Sequence, residues 1–177
     1  MRFSTIKKFS VLLLSLFFFA ASSRGLSMKE LNEIPDLTPE KFARYFADFE
    51  YQFHAEVQDE ADFLSSQSGD CDDYATVAAE ILKKNGYTTQ LIAVRMKGET
   101  HVVCYINETK SYLDYNARKE ANPTVSCENS ITEIAIRVAR SFDRAWIATY
   151  EFTYNPIERV KRLVQRIITN HSAENAS

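Results

Sequence analysis

Gly69-Asp70-Cys71-Asp72-Asp73-Tyr74-Ala75 marks the point where a polar loop, Ser65-Ser66-Gln67-Ser68, gives way to an amphipathic helical pattern. From Cys71 onward Tyr74, Ala75, Ala78, Ile81 and Leu82 recur at helical spacing, and Asn85-Gly86 is a stop signal. Cys71 opens that stripe, so the helix should aim its thiol inward at the sheet it packs on. The amides of a helix's first turn have no intrahelical partner and the dipole is positive there, which favours a thiolate. Asp70, Asp72 and Asp73 suit a helix cap and first turn. They lack the spaced oxygen ligands and closing Glu of a calcium loop.

Working outward, three strand candidates follow Gly86, at residues 88–96, 101–106 and 111–116, joined by Lys97-Gly98-Glu99-Thr100 and Asn107-Glu108-Thr109-Lys110. They read as an antiparallel meander. If Ile106 pairs with Ser111, Val103 faces Asp114 and His101 faces Asn116; if Ile106 pairs with Thr109, His101 faces Asp114. Either register puts His101 and Asp114 on one face, because strand side chains alternate with period two. Asn116 shares that face and is a second possible partner for the imidazole. Cys104 has the opposite parity. That parity, and the lack of a CxxC or a close His pair, disfavours a zinc site built from the three cysteines and His101.

Upstream, Thr38-Pro39-Glu40 gives a helix start, with Phe42, Tyr45, Phe46 and Phe49 at helical spacing over 39–50. These aromatic residues, with Tyr51, suit either a core or the wall of a cleft. Downstream a helix is expected at 131–142, a strand at 146–153 and a last helix at 157–169. That helix would set Val160, Leu163, Val164 and Ile167 against a basic side of Arg159, Lys161, Arg162 and Arg166. The fold class is α+β, with a nucleophile helix packed on an antiparallel meander.

The N-terminus has the form of a secretory signal peptide over 1–23: Arg2, Lys7 and Lys8, an apolar run at 11–21, then Ser22-Ser23-Arg24-Gly25. The run is too short for a hydrocarbon layer of about 30 Å, and nothing later is long enough, so no integral membrane segment is expected in the mature chain. Cleavage near Ser23 takes the formal charge from −3 to about −6. Such an acidic protein is a poor partner for nucleic acid. An exported protein, periplasmic or extracellular, is expected, with one domain over 28–170 and a polar tail at 171–177. Three cysteines are an odd number for an oxidising compartment. Cys104 and Cys127 could pair and leave Cys71 free.

The Gly69-to-Ala75 block, the helix ending at Asn85-Gly86-Tyr87, His101-Val102-Val103 opening one strand and Leu113-Asp114-Tyr115-Asn116 in the next resemble the transglutaminase-like superfamily, relatives of the papain fold. The resemblance covers about residues 63–117. It implies Cys71 as nucleophile, His101 as general base and acid, and Asp114 as the residue that orients the imidazole. Thiol attack on an amide carbonyl, with imidazole returning the proton to the leaving amine, suits those types. The Cys71 amide would supply one oxyanion donor. Relatives often carry an upstream Trp or Gln as the second donor; the single Trp here is Trp146, so Gln67 is the candidate. The implied activity is a cysteine-dependent amide or peptide hydrolase or acyl transferase, with peptide hydrolysis preferred to amine transfer. It would act on a protein or peptide; the residues assign no metal site or cofactor, and calcium dependence is left open. The alternative is a non-catalytic binding domain that keeps the cleft as architecture. Oligomeric state is left open.

Overall fold

The computed structural model describes residues 26–169. The expected signal segment at 1–23 and the tail at 171–177 lie outside the described residues. In chain order the elements are α1 (Met28–Glu33), α2 (Pro39–Tyr45), β1 (Glu50–Tyr51), α3 (Glu60–Ser66), β2 (Ser68–Gly69), α4 (Cys71–Lys84), β3 (Thr89–Met96), β4 (Glu99–Ile106), β5 (Ser111–Leu113), a 3-10 turn (Tyr115–Ala117), β6 (Thr124–Ser126), α5 (Ile131–Ser141), β7 (Trp146–Asn155) and β8 (Val160–Ile168).

The main sheet is antiparallel throughout, in the order β6-β5-β4-β3-β7-β8. Alternation along its central strands sorts the core into two layers. Leu91, Val102, Cys104, Ile106 and Leu113 face α4, where Phe42, Phe46, Phe63, Tyr74, Ala78 and Ile81 complete one cluster. Ile92, Val94, Val103, Tyr105 and Tyr112 face α5 and its Ile134, Ala135 and Val138. Each large apolar side chain so buried contributes about 1.5–3 kcal/mol. The outward face of α5 carries the Glu133–Arg137 pair, as an amphipathic helix on a sheet should.

Ile106 pairs with Ser111, the first of the two registers open to the sequence. The third strand is shorter than expected. It ends at Leu113, because the Asp114 side chain accepts from the Asn116 amide and turns the chain into the 3-10 turn. The first expected helix stops at Tyr45, and Glu50–Tyr51 pairs in parallel with Ser68–Gly69. Ser65 and Ser66 close α3 and are not loop.

The largest correction is at the C-terminal end. Residues 160–168 form a strand and not the expected helix. Val160, Leu163, Val164 and Ile167 do recur at helical spacing, but β7 presents an unpaired backbone edge that the segment completes along its length. Asn155 bends the chain back by accepting from the amides of Ile157 and Glu158, and Arg159 takes a left-handed φ of 55°. Five of the nine residues of β8 are Val or Ile, or Leu, whose branched side chains tolerate an extended backbone. Cys104 and Cys127 are free, each in a different core layer, so they form no disulfide.

Candidate active site

Cys71 is the first residue of α4. Asp70 caps the helix with its side chain on the Asp72 amide, and Asp73 returns a carboxylate to the Asp70 amide at 3.0 Å. The same two carboxylates hold the preceding chain. Asp70 accepts from the His54 amide at 3.0 Å, and Asp73 from the amide and side chain of Gln58 at 2.7 and 2.8 Å. His54, Asp70 and Asp73 lie close enough to suggest a metal. Their carboxylate oxygens, however, are spent on amides in the capping box and loop; the sequence reading anticipated the cap but not the hold on the loop. Gly69 runs so close to this corner that a Cβ there would stand 2.6 Å from the Phe63 ring and 2.7 Å from an Asp73 oxygen.

His101 comes from β4, with the same parity as Val103 and Tyr105, and its ring meets the edge of Phe142 at 4.9 Å between centroids. It therefore leaves the sheet on the α5 side, not the α4 side. Cys71 and His101 meet beside the β3–β4 turn, whose Gly98, Glu99 and Thr100 line the same cleft. The Nε2 atom of His101 is 2.8 Å from Oδ1 of Asp114. Both side chains are buried, and Nδ1 is the ring nitrogen left for Cys71, which lies near enough to favour the charged ring. Burial works against a charged imidazole here. The Asp114 carboxylate, with Cys71 behind it, outweighs that and holds the His101 pKa at about 10.

Asp114 is itself held firmly. The chain after it is fastened to the loop following α2, since the Tyr115 hydroxyl donates to the Glu50 carbonyl at 2.8 Å and the buried Arg118 guanidinium donates to the carbonyls of Phe46, Phe49 and Tyr115. That guanidinium also lies 3.6 Å above the Tyr115 ring.

The cleft has a volume of about 960 Å³, and its walls include Tyr51, Phe53, Tyr115, Tyr150 and Leu163. Asn116 also lines it, but its amide serves Asp114 while the imidazole takes Asp114 alone. Gln67 does not reach it: that residue ends α3 in a left-handed conformation and gives its carbonyl to the Glu50 amide. A smaller hollow of about 520 Å³ beyond Phe152 contains Glu60 and Glu80 and no cysteine. Burial and the neighbouring Glu80 raise Glu60 to about 8.

Sequence reasoning did not find Phe142, Tyr150 or Lys161 as cleft residues. Lys161 in β8 reaches Asp72, next to Cys71, at 2.6 Å. No local signal could have revealed this, because β8 reaches the cleft only by pairing with β7. Burial and the neighbouring Asp70 raise Asp72 to about 6, while Lys161 pulls it down.

Fold and cleft together define a mixed α+β domain in which a cysteine at a helix N-terminus faces a buried histidine–carboxylate pair. A family model described as a transglutaminase-like domain matches residues 30–135, more than half of the chain. The chain belongs to this transglutaminase-like family. The match runs from α1 into α5 and ends before β7 and β8. No curated protein matches the chain. Among the described residues no helix is long and apolar enough to cross a membrane.

Proposed function

We propose that the protein is a cysteine-dependent hydrolase or acyl transferase acting on an amide or peptide bond of a protein or peptide, with a papain-like core and with hydrolysis preferred to amine transfer. Cys71 is the nucleophile, His101 the general base and acid, and Asp114 the residue that fixes the ring. The observation that carries this reading is the 2.8 Å contact between His101 Nε2 and Asp114 Oδ1, which leaves Nδ1 for the thiol in the open cleft. With its pKa at about 10, the imidazole is charged at neutral pH and suited to pair with a thiolate.

The thiolate sulfur bonds to the acyl carbon, and the C–N bond breaks as Nδ1–H gives its proton to the leaving nitrogen. Water then attacks the thioester while Nδ1 takes its proton, and the sulfur leaves as thiolate. An amine in place of water gives transfer. The Cys71 amide, at the start of α4 and without a partner among the described residues, is one donor to the oxyanion. Export is part of the proposal and rests on the charged, apolar and small-residue order of residues 1–25.

The test is the pH dependence of alkylation on non-reduced protein, with mass mapping of each cysteine and His101→Ala as control. Cys71 should react first, already below pH 7, and lose that advantage in His101→Ala. Cys104 is a poor competitor because burial drives its thiol upward, far from ionisation. If Cys71 reacts no faster than in the His101→Ala protein, the nucleophile assignment fails and the domain is a binding module.

A further inference from the structure

Among the described residues strand β8 is the outer strand of the six-stranded sheet, and it is exposed along its whole length. Leu163, Val164 and Ile168 are each more than half exposed, at 62, 56 and 52 %. Natural sheets seldom leave so apolar an edge uncovered, because unpaired N–H and C=O groups template a further strand. Thr169 donates its N–H inward to the Ile147 carbonyl, so by the alternation of an antiparallel ladder the N–H groups of Arg166 and Ile168 point away from β7.

Charge chooses the occupant. Residues 159–168 hold Arg159, Lys161, Arg162 and Arg166 and no acid. Lys161 is met by Asp72 and Arg162 by Glu158, whereas Arg166 has the Tyr150 ring at 5.4 Å and, among the described residues, no ion pair. A second copy pairing antiparallel on β8 would set these cations against themselves, which is unfavourable. The bulge at Val164, where Phe152 faces Leu163 and Glu151 faces Gln165, further roughens the edge for self-pairing. An acidic strand meets neither objection. The edge also runs into the cleft, because Lys161 and Leu163 line it with Cys71 and His101.

We infer that the free edge of β8 docks an extended, acidic and partly apolar polypeptide segment by strand addition and leads it into the Cys71 cleft. Backbone pairing supplies the hold, and Arg166 selects the charge. The inference rests on the proposed function only for what happens at Cys71, since docking needs no turnover. It is therefore tested by binding alone, on Cys71→Ala protein.

The probe is a fluorescently labelled peptide alternating glutamate with valine, its counterpart with lysine for glutamate is the control, and anisotropy is the readout. The glutamate peptide should bind at least about tenfold more tightly than the lysine peptide. Ile168→Pro removes an outward N–H without touching the ladder to β7, and should weaken binding about tenfold with the thermal melt retained. Arg166→Glu, at an exposed site that needs no core change, should reverse the preference between the two peptides. Equal affinity for both peptides, an unchanged affinity in Ile168→Pro, or a dimer of the unmutated chain that Ile168→Pro dissociates would each overturn the inference. A Cys71 thiol of ordinary reactivity in the unmutated chain, with peptide binding intact in Cys71→Ala, would instead strike only the catalytic reading.

Discussion

Asp114→Asn isolates the electrostatics of the site, because asparagine keeps an Oδ1 to accept the Asn116 amide and removes only the charge. In the folded protein His101 titrates at about 10, against an ordinary 6.5. The folded state therefore keeps a proton that the unfolded chain releases. The stabilisation is fully present below about pH 6.5 and is lost as pH rises through about 10. The difference of about 3.5 pH units at about 1.36 kcal/mol each sets an upper bound of about 5 kcal/mol on what this one group gives up across that window. The contact responsible is buried at 2.8 Å, with both side chains at most 6 % exposed, so salt should screen it weakly. In Asp114→Asn the His101 midpoint should fall toward 6.5, and the decline of stability between pH 6.5 and 10 should flatten. The assay is a ring-proton NMR titration, assigned by the signal lost in His101→Gln, alongside urea unfolding at a series of pH values. A midpoint still near 10 in Asp114→Asn would refute the assignment of Asp114 as the source of the shift.

Gly69→Ala forces a Cβ to within 2.6 Å of the fully buried Phe63 ring and should cost about 1–3 kcal/mol in urea unfolding. Because the same Cβ presses on the Asp73 oxygen that caps α4, Cys71 alkylation should slow as well. Arg118→Lys cannot reproduce a planar fork on three carbonyls, and a melt should show a loss of about 2–3 kcal/mol, more than an exposed Arg→Lys change would give. Lys161→Met removes the one influence that lowers Asp72, whose pKa of about 6 already lies above the ordinary 3.8. The folded state binds that proton more tightly than the unfolded chain, so stability falls as pH rises from about 3.8 through about 6. In Lys161→Met the falling window should extend to higher pH, while Lys161→Arg should leave it in place.

Local chemistry made the centre of the fold legible. The acidic cap at Asp70 to Asp73, the helical stripe after Cys71 and the runs of branched residues after Gly86 are properties of a few neighbouring residues, and they placed α4, β3 and β4 before any tertiary contact was known. The shared face of His101 and Asp114 followed from parity alone. Parity could not say that the ring would leave the sheet on the α5 side and still reach the cysteine, since that depends on the cleft opening beside the β3–β4 turn. The sequence preferred Asp114 to Asn116 as the partner of the imidazole but left Asn116 open, and in the fold the imidazole and the Asn116 amide meet the same Asp114 oxygen.

By itself, then, the sequence determined the elements whose stability is local: the capped helix that opens at Cys71 and the strands that follow it. Tertiary structure decided whatever depended on a partner far along the chain. Residues 160–168 carry a pattern that serves helix and strand alike, and the open edge of β7 resolved it by offering a full ladder of hydrogen bonds that an isolated helix could not match. With that choice Lys161 came to Asp72, Leu163 to the wall of the cleft, and an exposed basic edge to the mouth of the site.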